Sequence, residues 1–338
     1  MVRGARLALP QLGNSREVVL LHGKFWALPA IIAIAAFAPR AQACSACGCT
    51  LNSDWASQGL VSSGGWRVDL RYDFFEQDQL RSGTDKVSRA AVAIPADVEV
   101  QQFTINRNAT LAFDYSPNAD WGINVALPWF DRGHATIAAG DSEVSTSHDS
   151  GIGDVRIVGR WSGFAAQRSS GVMFGLKLPT GNSGDTFESG PQAGAIVDRG
   201  LQLGSGTTDA IVGVYNFGAL APEWSYFAQA TVQAPLDSHD GFKPGAGINV
   251  NLGLRYNVND KFAPQLQLNA RAEQRERGVN ADIDNSGATL VYLSPGFSWN
   301  FSRRFSAFAF VQVPLYQRVN GLQIEATQFA SLGLHYHF

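Results

Sequence analysis

Trp66-Arg67-Val68-Asp69-Leu70-Arg71-Tyr72-Asp73-Phe74 alternates without a fault: every even-numbered member is large and apolar, every odd-numbered one is charged. A period of two sends successive side chains to opposite faces of a strand, so this strand separates two unlike media. In a soluble sandwich the apolar row would pack inward and the charged row would meet bulk water. In a membrane barrel the apolar row meets acyl chains and the charged row lines the lumen. Alternation alone does not choose between them.

Working outward, Ile248 to Tyr256 and Phe262 to Arg271 repeat the pattern. About twelve such segments are read, near 66–76, 100–115, 121–131, 151–162, 171–179, 208–217, 224–234, 246–258, 262–274, 289–301, 305–314 and 326–338, with ten and fourteen as bounds. Most exceed the ~5–6 residues of a soluble strand and reach the ~9–11 that cross a bilayer obliquely. The connections alternate in length. Ser116–Asp120, Gly163–Ser170, Gly218–Glu223, Asn259–Lys261 and Ser302–Arg304 are brief, whereas 77–99 and 180–207 are long. Short periplasmic turns and long outer loops are the asymmetry of outer-membrane barrels. Trp121, Trp224, Phe262 and Phe305 follow short turns, which places rings at headgroup level. The chain ends Leu332-Gly333-Leu334-His335-Tyr336-His337-Phe338, an alternating strand with a terminal aromatic that resembles the signal read by barrel-assembly machinery. The expected fold is therefore an all-β, antiparallel transmembrane β-barrel over residues 66–338 in the outer membrane of a Gram-negative bacterium, with outer-membrane lipid as its surroundings. Arg107 is the misfit: it falls in phase with Phe103, Ile105, Leu111 and Phe113, and suggests a bulge or register change.

Charged residues make up only 16% of the 338, and the formal net charge is −3, so no basic surface invites nucleic acid. No apolar run reaches the ~18 residues of a spanning helix. Arg3, Arg6, Arg16 and Lys24 precede the apolar run Phe25–Ala38, and Ala41-Gln42-Ala43 is a small-x-small site. Residues 1–43 read as a signal peptide with Cys44 as the first mature residue.

Residues 44–65 form an expected periplasmic segment that holds all three cysteines, Cys44, Cys47 and Cys49. Three thiols cannot all pair within one chain in an oxidising compartment, which leaves one for metal, a partner or lipid. Three soft thiolates suit Cu(I) or Zn(II). His335 and His337, two apart on the last strand and near the same rim, complete a candidate Cys/His metal site. A local disulfide with a spare thiol, or lipidation of Cys44, are the other readings, and a periplasmic partner fits the first two.

The expected lumen row includes Arg67, Asp69, Arg71, Asp73, Asp154, Arg156, Arg160, Lys177, Arg255, Arg271 and Glu273. Mixed signs suit ladders that hold a closed wall together, or a polar path for a small solute in which arginines favour anionic groups. His134, His148 and His239 lie in expected outer loops beside aspartates. No spacing marks a nucleophile with its base, and Gly204-Ser205-Gly206-Thr207 lacks the Lys of a phosphate loop, so no enzyme is expected.

Gly151-Ile152-Gly153-Asp154-Val155, Gly175-Leu176-Lys177-Leu178-Pro179-Thr180-Gly181 and Leu203-Gly204-Ser205-Gly206-Thr207-Thr208-Asp209 resemble stretches of one outer-membrane family, the MetA-pathway phenol-degradation proteins, also labelled transporters. Pro295-Gly296 and Pro314 to Gly321 extend the resemblance, which covers roughly residues 100–338. It implies a barrel that moves small, often aromatic or apolar, solutes; the Cys-rich opening departs from the pattern. The expected function is passive passage or uptake of small solutes. The alternatives are a metal- or redox-linked barrel using the thiols, and a structural or adhesive surface barrel.

Overall fold

Alternating sequences become strands here because each backbone N–H and C=O must find a partner within the wall when lipid offers none. A computed structural model describes residues 64–165 and 168–338. The expected signal peptide and Cys44, Cys47 and Cys49 lie outside the described residues.

The strands are β1 (Gly65–Gly83), β2 (Asp85–Lys86), β3 (Val100–Ser116), β4 (Trp121–Ile137), β5 (Ser145–Ile152), β6 (Val155–Trp161), β7 (Ser170–Leu178), β8 (Asp209–Ala221), β9 (Trp224–Pro235), β10 (Gly247–Tyr256), β11 (Phe262–Glu273), β12 (Ala288–Asn300) and β13 (Phe305–His337). Eleven of them pair antiparallel in a closed path, β13 returning to β1; β2 and β5 stand off that path. The first part of β13 pairs with β12 and the second with β1. His337 N donates to Arg304 O at 2.9 Å, and the Phe305 and Tyr336 rings lie 4.6 Å apart. This 33-residue element therefore folds back on itself near Asn320-Gly321, Gly321 taking φ +55°, and the wall is traversed twelve times. Phe338 N donates to Trp66 O at 3.1 Å and finishes the seam.

Three short turns share one device. Asn118 Oδ1 accepts from the N–H groups of Asp120 and Trp121, Asn259 Oδ1 from those of Lys261 and Phe262, and Ser302 Oγ from those of Arg304 and Phe305. A short polar side chain that caps its own turn reverses the chain in few residues. Each turn delivers an aromatic residue to the first position of the next strand. Trp66–Tyr115 and Trp121–Trp161 then stack across strands, and Trp224 meets Tyr256 at a tilt, making an aromatic edge.

Above that edge the outward faces are apolar and exposed: Leu70, Tyr72 and Phe74 on β1, Leu111 and Phe113 on β3, Ile123 and Leu127 on β4. Among the described residues no helix is long and apolar enough to cross a membrane; strands make the crossing.

The expected disturbance at Arg107 is not there. The β3–β4 register runs unbroken through Arg107↔Asp131 and shifts only between Gln101 and Phe103. Arg107 does point outward, but Asp131 faces it at 3.1 Å, with His148 at 3.3 Å from the same carboxylate. The pair lies one step beyond Trp129, at the headgroup level where charges are hydrated. Other boundaries also differ from expectation: β1 runs on to Gly83 and β4 to Ile137. The segment read as one strand over 151–162 breaks at Gly153-Asp154, and β5 continues it outward against β4. The stretch 315–325, read as a connection, is strand throughout.

Candidate functional site

The inward row of β1 opens an ion-pair network at the periplasmic end. Arg67 Nε contacts Asp69 Oδ1 at 2.8 Å, and His335 Nδ1 donates to the same oxygen at 2.7 Å. Arg67 Nη2 lies 3.6 Å from Asp114 Oδ2. Arg160 holds Asp114 with both terminal nitrogens, at 2.6 and 2.8 Å. Planar two-point contact is the strong form of this bond, and all these groups are buried. Asp114 was not singled out in the sequence, although it is inward by the same alternation. His335 is thus committed to Asp69. With the three cysteines outside the described residues, no composite Cys/His metal site can be drawn, and His337 stands half-buried at the rim.

One level higher, Arg71 Nε pairs with Asp73 Oδ2 at 2.8 Å, and Ser331 Oγ donates to Asp73 Oδ1 at 2.6 Å. On the opposite wall Arg271 reaches Glu273 and donates to Asn249 at 3.1 Å. Asn251, Asn269 and Ser294 continue an amide ladder across β10, β11 and β12. Arg255 is half-buried toward the periplasmic end of β10.

The connection between β7 and β8 does not stay outside. Its residues Arg199, Gly200, Gln202, Leu203 and Ser205 line the same cavity as wall residues of β1, β4, β10 and β11. A knot of polar groups holds it there. Asp154 Oδ2 accepts from Lys177 Nζ at 2.8 Å, from Ser205 N at 3.0 Å and from Ser205 Oγ at 2.9 Å; Asp154 Oδ1 accepts from Gly181 N at 3.1 Å. Lys177 also faces Asp209 at 3.2 Å. Arg132 Nη1 donates to Leu201 O at 2.5 Å while its Nε donates to Asn106 Oδ1 at 2.8 Å. Gly181 and Gly204 pass so close that a Cβ on Gly204 would sit 2.5 Å from Gly181 O, a backbone contact that only glycine permits. The knot joins the three separate glycine-containing stretches noted in the sequence.

The resulting cavity measures about 310 Å³. Asp69, Arg71, Asp154, Arg156, Arg160, Lys177, Arg271 and Glu273 line it; Arg67, Asp73 and Arg255 do not. Sequence reasoning missed its apolar strip of Ala126, Pro128, Phe130, Val158, Met173 and Ile211, inward residues of β4, β6, β7 and β8. At the outer mouth, where three connections meet, carboxylate oxygens of Glu99, Asp198 and Asp282 lie within 4.8 Å of one another. Burial, reinforced by the Glu99 charge, pushes the Asp198 carboxyl up to about 7.

A closed antiparallel wall, an apolar outer belt with an aromatic edge, and a polar interior define an outer-membrane β-barrel. Residues 81–321 match the model of the family described as "Putative MetA-pathway of phenol degradation", and the chain belongs to that family. Among solved structures it is similar to the COG4313 outer membrane channel from Pseudomonas putida F1, with a TM-score of 0.62 at 13% identity, covering 85% of this chain and 99% of that one. It is also similar to the CymD monoaromatic hydrocarbon channel, with a TM-score of 0.45 at 10% identity over 89% and 95%. No curated protein matches the sequence.

Proposed function

We propose that this barrel is a channel through which small solutes cross the outer membrane, and that the cavity between the wall and the β7–β8 connection is its selective passage. The carrying observation is that cavity, about 310 Å³ and lined jointly by barrel wall and inward loop. Its size falls at the small-molecule end of ligand sites, and its mixture of apolar surface with a few fixed polar groups is what such sites use. The family's description points toward phenol-like compounds, and the strip around Phe130 and Met173 gives an aromatic ring somewhere dry to lie. The reading is one of passage rather than catalysis, and no cofactor enters it. Purified protein in planar bilayers is expected to give discrete current steps, and in liposomes to speed swelling in small neutral solutes. Bilayers that stay silent at every protein concentration would defeat it.

A further inference from the structure

The cations inside the barrel are almost all spoken for. Arg67 and Arg160 hold carboxylates, Lys177 sits between Asp154 and Asp209, and Arg71 and Arg271 pair with Asp73 and Glu273. Arg156 differs. It is inward on β6 between Asp154 and Val158, lines the cavity, and is exposed to it. Among the described residues its guanidinium makes no hydrogen bond or ion pair. Asp154, two residues before it, already receives Lys177, Ser205 and Gly181.

The surroundings of this open guanidinium are apolar on one side. Ala126 stands opposite it in register on β4, Pro128 follows two residues on, and Val158 and Met173 continue the strip. A guanidinium in water is well solvated; one beside an apolar wall in a confined space attracts an anion more strongly and offers it a planar two-point contact. We infer that Arg156 reads the carboxylate of a small organic acid whose apolar body lies along the Ala126–Met173 strip. This rests on the channel reading and narrows it: the preferred solutes are monoanions with an apolar ring or short chain, rather than inorganic ions or neutral hydrocarbons.

The test is block of potassium chloride current by benzoate, with benzyl alcohol as its uncharged match. In the wild type benzoate is expected to interrupt unitary current saturably, and benzyl alcohol to do so about tenfold more weakly or not at all. Arg156→Gln is expected to weaken the benzoate effect about tenfold or more, the loss of a charge-assisted contact, while leaving benzyl alcohol unchanged. Arg156→Lys, a point charge without the fork, should recover only part. Equal action of the two compounds on the wild type overturns the inference without needing any variant. So does an Arg156→Gln channel that benzoate blocks as before. Either result leaves the channel reading standing, since current is still carried; a wild type that passes no current removes both.

Discussion

Replacing Asp154 with alanine should release the β7–β8 connection from the lumen. Asp154 accepts four hydrogen bonds, two of them from backbone N–H groups of that connection and two from the side chains of Lys177 and Ser205. Lys177 would keep Asp209 at 3.2 Å, so the ammonium is not wholly abandoned. Removing one partner of a buried charge pair costs about 3–5 kcal/mol. At about 1.4 kcal/mol per decade, the undocked loop rises in population between roughly a hundredfold and a few thousandfold. The barrel itself, held by its backbone ladder, should remain folded and heat-modifiable on gels. In single-channel recordings the variant is expected to show larger mean conductance and added open-state noise. Asp154→Asn retains the acceptor for Gly181 but loses the charge, and should fall between. An Asp154→Ala trace that superimposes on the wild type, in protein shown to be folded, would refute the idea that this knot sets the passage.

Two further outcomes follow from the geometry. Leu111→Arg places a charge on the outward face of β3 amid Leu70 and Leu127, its register partners, and should destabilise the barrel by about 2–4 kcal/mol in reversible unfolding from lipid vesicles; a change below ~0.5 kcal/mol would contradict the lipid-facing assignment. The Asp198 carboxyl, held up to about 7 against an ordinary 3.8, binds its proton more tightly when the loop is docked, so docking is strongest in acid and weakens as pH climbs from about 4 to about 7. Amide exchange over 197–201, corrected for intrinsic rate, should quicken across that window, and Asp198→Asn should flatten the trend.

The wall was legible because its rule is local. In β1, β10 and β11 the apolar residues repeat every second position, and nothing but a sheet with two unlike faces satisfies that. Its limits also have physical causes. Pro314 and Asn320-Gly321 carry loop chemistry, so 315–325 looked like a connection, whereas the hairpin keeps its ladder to the tip. Phe308 and Phe310 are apolar yet inward, and the reason lies on the neighbouring passes of the wall: Gly333 in the returning half of β13 and Gly296 on β12 leave space where those rings lie flat against it. Arg107 is tolerable only because Asp131 is its register partner, a fact of pairing rather than of sequence. The candidate site was half visible. Arg156 and Lys177 follow from alternation, but the fate of Lys177 depends on Ser205 and Asp209 arriving from beyond a long connection. That connection's composition, rich in Gly, reads the same whether it waves outside or folds in.

The doubled-back last element makes the barrel an object that cannot be finished early. Until Phe305–His337 has emerged, β1 and β12 are raw borders, each presenting a row of unanswered amides to whatever strand comes near. A chain truncated before Gly321 would therefore be an unrolled sheet seeking a neighbour, and its fate would be aggregation or degradation rather than a smaller pore.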